Sequence, residues 1–266
     1  MSLEEPSNGA RLLSRREGAV LVLTISNPAA RNAMHPSLYR TATALLREAA
    51  ADRTVRAIVL VGEGEHFCGG GDVKRLADQR GRPREEQLGH LDALHDWVMA
   101  MQDAPQPVIA AVEGAAAGGG FSLCLGCDLI VAAEDAKFVM SYVKLALSPD
   151  GGGSDSLARA LPPQAALELL LDGGVCSAQR LHAWGVVNRV VPHGEAFATA
   201  LAWAQRLAAG PFDAQARIKQ LVHAARGRTR RDQLDAERDA FVDNLYGDEC
   251  GAGIEAFLSA RRPPKS

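Results

Sequence analysis

Two glycine-rich turns carry the first candidate chemistry in this chain. One reads Phe67-Cys68-Gly69-Gly70-Gly71-Asp72-Val73-Lys74, the other Gly114-Ala115-Ala116-Ala117-Gly118-Gly119-Gly120. The run Arg56–Val61 precedes the first and Val108–Val112 the second, and both runs read as buried strands. Helical character follows each turn. A backbone without Cβ atoms lets a ligand approach main-chain N–H groups closely. The N–H groups that open a helix have no intrahelical acceptor and lie at the positive end of its dipole. Two such groups, converging, suit a developing negative charge. The competing reading is tight packing, since glycine-rich turns recur throughout α/β proteins. Neither turn is a phosphate loop, because no Gly-Lys-Ser/Thr follows. Gly118-Gly119-Gly120 also lacks the spacing of a dinucleotide fingerprint.

The elements that must position these turns alternate. Val20–Ile25, Arg56–Val61, Val108–Val112 and Asp128–Ala132 read as strands, and Pro36–Ala51, Pro83–Met101 and Gly120–Gly126 as helices. On the long helix Leu88, Leu91, Leu94, Val98 and Met101 fall near one face. The pattern predicts an α/β fold with a mostly parallel sheet. After about Pro192 the character changes. Glu195–Ala209, Asp213–Ala225, Arg231–Tyr246 and Gly253–Ala260 all read as helices, which places a boundary near 195–200.

Bulk properties exclude several classes. The 266 residues suffice for one large core, with 47% hydrophobic and 23% charged residues. A net charge of −3 carries no nucleic-acid footprint. The cluster Arg226, Arg228, Arg230 and Arg231 reads as a solvated helix end. No window approaches the roughly 18 apolar residues of a membrane span, and the N-terminus does not read as a signal peptide. The five cysteines are odd in number and irregular in spacing, so a reducing, cytoplasmic setting is expected. Cys124-x-x-Cys127 has no second pair at zinc spacing and reads as two buried small residues, so no metal is expected.

In this order the two turns resemble those of the enoyl-CoA hydratase/isomerase (crotonase) superfamily, nearest to members like the phenylacetate-degradation isomerase. Further blocks support it: Asn27-Pro28-Ala29-Ala30-Arg31-Asn32-Ala33-Met34, Pro107–Gly114, Cys127–Ala133 and Ala136-Lys137-Phe138. The resemblance runs from about Leu12 to Pro263. It implies a crotonase-like spiral of ββα turns over residues 8–197 and a C-terminal helical trimerisation region over 198–266. It implies Gly71 and Gly119 as the two oxyanion donors and no permanently bound cofactor, with coenzyme A as the thioester carrier of the substrate. A homotrimer or a dimer of trimers follows from the same resemblance. Removal of a thioester α-proton requires that the enolate oxygen be stabilised, and losing one such donor typically costs about 10²–10³ in rate.

Hydratases of the superfamily use two glutamates. One falls three residues after the oxyanion glycine, where this chain has Ser122, and the other corresponds to Tyr142. Serine and tyrosine are poor general bases near neutral pH. The resemblance points instead to Asp150, in Leu147-Ser148-Pro149-Asp150-Gly151-Gly152-Gly153. Several double-bond isomerases place their proton-abstracting aspartate there, and the 4-chlorobenzoyl-CoA dehalogenase its nucleophile. A turn-forming aspartate before a helix is the competing reading. His95, twelve residues before Pro107, stands at the offset of the dehalogenase's histidine. Paired with Asp150 it would divide acid and base roles; the competing reading is a surface histidine.

For substrate binding, the resemblance implies that Arg31, Asn32 and Ala33 meet adenine and pantetheine. Cys68, Gly69 and Asp72 are expected along the first turn, Ser122 and Tyr142 along the second. Lys74 is expected at the mouth, and Arg261 or Arg262 could reach phosphate from a neighbouring subunit. Candidates for the wall of the acyl pocket are Leu76 and residues of the polar, Arg-rich stretch Asp78–Gln87, which is expected to be mobile. Three functions stay open at this point. The first is an enolate-forming double-bond isomerase, the second a hydratase of an unsaturated or ring-derived acyl-CoA. The third is a catalytically weak acyl-CoA-binding subunit.

Overall fold

The computed structural model describes residues 9–260. Its main sheet has six strands in the order β1 (Arg11–Glu17), β2 (Val20–Ser26), β3 (Ala57–Gly62), β4 (Val108–Val112), β6 (Leu129–Ala133) and β9 (Arg189–Val191). All neighbours are parallel except β1 and β2. A smaller sheet joins β5 (Ala115–Ala117), β7 (Lys137–Val139) and β8 (Val175–Ser177). The helices are α1 (Pro36–Ala51), α2 (Val73–Gln79), α3 (Arg84–Asp103), α4 (Gly119–Leu125), α5 (Gly153–Ala160), α6 (Pro163–Asp172), α7 (Ala178–Ala183), α8 (Ala196–Ala208), α9 (Phe212–Ala224), α10 (Arg230–Leu245) and α11 (Asp248–Ala260). No helix among the described residues is long and apolar enough to cross a membrane.

The chain advances as a spiral. β4 enters the main sheet, β5 the smaller one, and α4 returns; β6, β7 and α5 repeat the turn. The preceding turn follows the same path with β3, a bridge from Cys68 to Ala116, and α2. The α/β spiral expected from the resemblance is therefore the observed architecture.

The period-two pattern of the central strands explains why both sheet faces are covered. Val20, Val22, Ala57, Val59, Ile109, Ala111 and Val131 share one core with Ala196, Ala200 and Ala204 of α8. Alanines at every fourth position let α8 lie close against the strands. The alternate residues, among them Leu23, Ile25, Ile58, Leu60 and Ala110, pack with Leu46 of α1 and Trp97 of α3. The boundary placed at 198 thus falls inside α8, which covers the sheet; the helices that follow begin at Phe212. On α3 the buried residues are Ala93, Leu94, Trp97, Val98 and Met101, while Leu88 is exposed, which shifts the expected apolar face. Asp78–Gln87, expected to be mobile, is the end of α2, a turn and the start of α3.

Two polar anchors hold the spiral together. Lys219 of α9 is buried and donates to Met101 O (2.7 Å) and Gln106 O (3.0 Å), and it pairs with Asp128 (2.8 Å). Asn32 sits below the first glycine turn with φ of 56°. Its Oδ1 accepts from Asn27 N–H (2.9 Å), and its Nδ2 donates to Glu63 O (2.9 Å) and His66 O (2.6 Å). These bonds carry the chain from the end of β3 into the turn.

Asn32→Ala is expected to lower stability by about 3 kcal/mol, because it orphans one buried and two part-buried backbone groups and leaves an alanine in a left-handed conformation. Asn32→Gly should recover roughly 1 kcal/mol of that, the backbone share. Urea titrations of the two variants separate the contributions; equal midpoints would show that the left-handed backbone contributes nothing.

Candidate functional site

The two turns lie side by side as short parallel segments. Cys68 N–H donates to Ala115 O (3.0 Å), and Ala117 N–H donates to Cys68 O (2.9 Å). On the other side of the first turn, Met34 N–H donates to Gly70 O (2.7 Å) and Asp72 N–H to Met34 O (3.3 Å). Gly71 is the bridged residue between those bonds, so its own N–H points away from Met34. Gly119 opens α4, and its N–H precedes the first intrahelical bond. Neither N–H has an acceptor among the described residues, and both glycines line one cavity of about 570 Å³.

Glycine is required where the turns touch. Gly70 has φ of 96°, and a Cβ there would lie 2.6 Å from Ala117 O and 3.3 Å from Gly119 N. A Cβ on Gly120 would lie 2.4 Å from Cys68 O. Real side chains at either position would push the turns apart and separate the two free N–H groups.

One carboxylate faces them. A Cβ built on Gly119 would stand 3.6 Å from Asp150 Oδ1 and 3.8 Å from the Tyr142 hydroxyl. Tyr142 OH donates to Asp150 Oδ1 (2.5 Å), and Ser122 Oγ lies 3.0 Å from the same hydroxyl. Because the tyrosine proton is committed to Asp150, Ser122 is the donor of that second bond. The glycines after Asp150 permit the arrangement: a Cβ on Gly153 would meet Ser122 Oγ at 2.4 Å. Burial raises the Asp150 carboxyl above the ordinary aspartate range, against the hydrogen bond from Tyr142 and the charge of His95. Burial and the neighbouring Asp150 also push the Tyr142 phenol well above the usual tyrosine range, so it remains a donor.

Comparisons with known proteins identify the family. Residues 15–265 match the model of the enoyl-CoA hydratase/isomerase family. The chain belongs to that family. It is 35% identical to the 1,2-epoxyphenylacetyl-CoA isomerase of Escherichia coli (strain K12), covering 95% of this chain and 97% of that one. A probable enoyl-CoA hydratase of Rhizobium meliloti (strain 1021) is 34% identical over 94% of this chain and 96% of that relative. The crystal structure of an enoyl-CoA hydratase from Polaromonas sp. JS666 superposes with a TM-score of 0.93 at 48% identity, covering 95% and 98% of the two chains. The protein is an acyl-CoA enzyme of the hydratase/isomerase family, and relatives named for both reactions lie at similar distances.

Of the residues expected from the family, Gly69, Gly71, Gly119, Tyr142 and Asp150 line the cavity. Others stand behind it. Ser122 is fully buried and reaches the site only through Tyr142. Cys68 is fully buried; its thiol donates to Asn32 O (3.2 Å) and accepts from Gly70 N–H (3.4 Å). Burial pushes that thiol up to about 12, so it is a packing group and no nucleophile. Asp72 caps α2, accepting from Lys74 N–H (2.9 Å) and Arg75 N–H (3.3 Å). Arg31 and Ala33 flank the first turn, where Arg31 O accepts from Gly69 N–H (2.7 Å) and Ala33 O from Asn27 Nδ2 (3.0 Å). None of Arg31, Ala33, Asp72 and Lys74 lines the cavity wall. Arg261 and Arg262 lie outside the described residues.

His95 departs from expectation. It is on the exposed side of α3, does not line the cavity, and acts on Asp150 only through its charge. Turning by about 100° per residue, the helix presents Leu94, Leu91 and His90 instead. Sequence reasoning missed Met34, Tyr39 and Arg75, which line the same space, whereas Leu76 and, from the stretch Asp78–Gln87, Gln79, Arg80 and Gln87 line it as expected. The signal available was the turn of α2 after Asp72, which carries Arg75 and Gln79 four residues apart on one face.

The raised Asp150 value carries a stability consequence. The folded state holds that proton more tightly than the unfolded chain, so the ionised carboxylate costs stability above the raised value. The cost fades as pH falls through it and the folded protein takes up the proton. Asp150→Asn is therefore expected to raise the urea midpoint at pH 7 and to leave it unchanged near pH 3. A gain that persists undiminished in acid would point to packing as its source.

Proposed function

We propose that this acyl-CoA enzyme is a double-bond isomerase that moves a proton along a thioester through an enolate. The carrying observation is that Asp150 is the single carboxylate lining the cavity among the described residues, and it stands beside the free Gly119 N–H. The thioester oxygen accepts from Gly71 N–H and Gly119 N–H. Asp150 then takes the C2 proton of a 3-enoyl thioester, and the C–H electron pair flows toward the carbonyl oxygen. The two N–H donors hold the enolate oxygen. Collapse of the enolate restores the carbonyl, shifts the double bond to C2–C3, and draws the same proton from Asp150 onto C4. One base serves both transfers, and the substrate is changed in no other atom.

Hydration needs more. A water must be deprotonated by one group while another protonates C2, which a pair of facing carboxylates can provide. Ser122 and Tyr142 occupy the places implied for that pair, and they form a chain of donors ending on Asp150. Their role in this reading is to hold Asp150 Oδ1 and leave its second oxygen toward the substrate.

The segment 31–33 beside the first turn is assigned to the adenine and pantetheine of coenzyme A. No permanently bound cofactor enters the reaction. Exposed Ile218, Val222, Phe241 and Tyr246 on the C-terminal helices support assembly into a homotrimer, alone or as a dimer of trimers.

The test is deuterium exchange. Incubated with crotonyl-CoA and a 3-enoyl-CoA in D₂O, the protein is expected to exchange the α- and γ-positions and interconvert the isomers. Asp150→Asn should slow exchange by about 10²–10⁴; exchange that survives it excludes Asp150 as the base. A hydrated product formed faster than exchange would favour the hydratase. Affinity for CoA esters without any turnover would identify a binding subunit.

The base must be ionised, so kcat/KM is lost as pH falls through the raised Asp150 value. Tyr142→Phe removes a hydrogen bond that holds that value down. Its acid limb is expected at higher pH than that of the wild type; an unmoved limb would separate Tyr142 from Asp150.

A further inference from the structure

One wall of the acyl chamber is a short helix with little core of its own. α2 supplies Val73, Arg75, Leu76, Ala77 and Gln79 to the lining, yet Gln79 is its one buried residue and Val73 is 53% exposed. Its grip on α3 comes from Arg75, whose guanidinium donates to His90 Nδ1 and to Gln87 Oε1, both at 3.2 Å. The turn after α2 is open: a Cβ on Gly81 would have only Asp78 O within reach, at 3.7 Å. A helix that buries so little apolar surface belongs to the weakly held part of a fold.

The closed position of α2 also carries a cost. Arg75 Nε and Gln79 Nε2 are both buried without an acceptor among the described residues. Moving α2 outward would return both donors to water. The two bonds from Arg75 therefore work against two stranded donors, and one of those bonds depends on a proton. His90 accepts from Arg75 only with Nδ1 unprotonated, because arginine has donors and no lone pair. The surroundings of that ring are cationic. Arg75 on α2, His35 at the N-cap of α1 and Arg40 on α1 all disfavour a charge on His90, and Glu86, one turn earlier on α3, favours it. Glu86 is itself paired with Arg82 (3.7 Å). Burial first, and then these cations, hold the imidazole below the ordinary histidine range.

We infer that Arg75 and His90 form a proton-sensitive latch on the acyl chamber: with His90 neutral α2 is closed over the acyl group, and a proton on His90 releases it. Protonation removes the acceptor and sets a new cation against Arg75, Arg40 and His35. An open α2 parts His90 from Arg75, so the open state holds the proton more tightly than the closed one. Closure is fully favoured above the ordinary histidine range. It weakens as pH falls through that range, and the loss stops growing below the lowered value of the closed state. The latch concerns access to the chamber, so it goes beyond the proposed isomerisation and stands or falls without it.

Amide hydrogen exchange of the free protein, read by mass spectrometry, tests this without turnover. After correction for the intrinsic pH dependence of exchange, the amides of residues 73–80 are expected to exchange about 5- to 10-fold faster at pH 5.5 than at pH 7.5. That is the range one histidine with an open-state value near 6.5 can contribute. His90→Gln keeps an acceptor without a titrating ring and is expected to abolish the difference. Equal corrected rates in the wild type overturn the inference, and so does a rise spread evenly over the whole chain. A His90→Gln protein that keeps the difference also overturns it, by assigning the effect to His35 or Asp150. Arg75→Leu is expected to exchange residues 73–80 at pH 7.5 as fast as the wild type does at pH 5.5, and to raise the His90 titration followed by NMR. An unmoved His90 titration would show that the two residues are not coupled. Where a variant fails to fold, the wild-type exchange ratio decides.

Discussion

The site depends on a contact distance. Gly70 presses against Ala117 O and Gly119 N so closely that one added carbon would sit 2.6 Å from the first and 3.3 Å from the second. That approach brings two backbone N–H groups from different turns of the spiral to one cavity. Neither turn does this alone. The first is held by Met34, Asn32 and Asp72, and the second by the pairing of β5 with β7 and by Cys68. Donors fixed in this way need no reorganisation when charge develops between them, which is why such a pair is effective. The surrounding sheets and helices can be read as the frame that keeps the two turns at that distance.

A second constraint follows from placing a carboxylate in the same enclosed space. Burial alone would keep Asp150 protonated more than an exposed aspartate, and a protonated aspartate cannot take a proton. The chain from Ser122 through Tyr142 works in the opposite direction by donating to the ionised form. The balance leaves a carboxylate more basic than usual and fixed in direction. Ser122 and Tyr142 together serve that balance. The glycines at 151 and 153 belong to the same arrangement, because a side chain at 153 would displace Ser122.

Much of this was legible in the sequence, and the exceptions have physical reasons. The central strands and long helices could be read because their periodicity runs over five residues or more. β5, β7, β8 and β9 span three residues each, too few to show any period. Gly71 and Gly119 could be placed at the cavity from the sequence because glycine itself is the signal for a close backbone approach. Asp150 was placed at the cavity through a motif, but its link to Ser122 and Tyr142 is a contact across elements that spacing cannot report. His95 shows the limit most clearly. Its offset from Pro107 matched an active-site histidine, yet on a helix the neighbouring positions 94 and 91 face the cavity and 95 faces solvent. Cys68 lies within the first turn in sequence and behind it in space, because the turn exposes backbone and buries side chains.

The two ends of the chamber differ in a way that bears on chemistry. At one end a carboxylate faces two N–H donors, so that in the proposed reaction negative charge passes from Asp150 to the thioester oxygen and back without leaving the enclosure. At the other end, Arg75 and Gln79 hold unpaired donors away from Asp150's hydrogen-bond chain. A cation placed closer would lower the basicity that burial confers on Asp150, and Tyr39, on the same cavity wall, feels both charges. Separation therefore lets one cavity contain a base and a cation together. In the proposed reaction one carboxylate serves two carbons of the same chain, and a base already in place for the first transfer is in place for the second, which favours returning the proton over admitting a water.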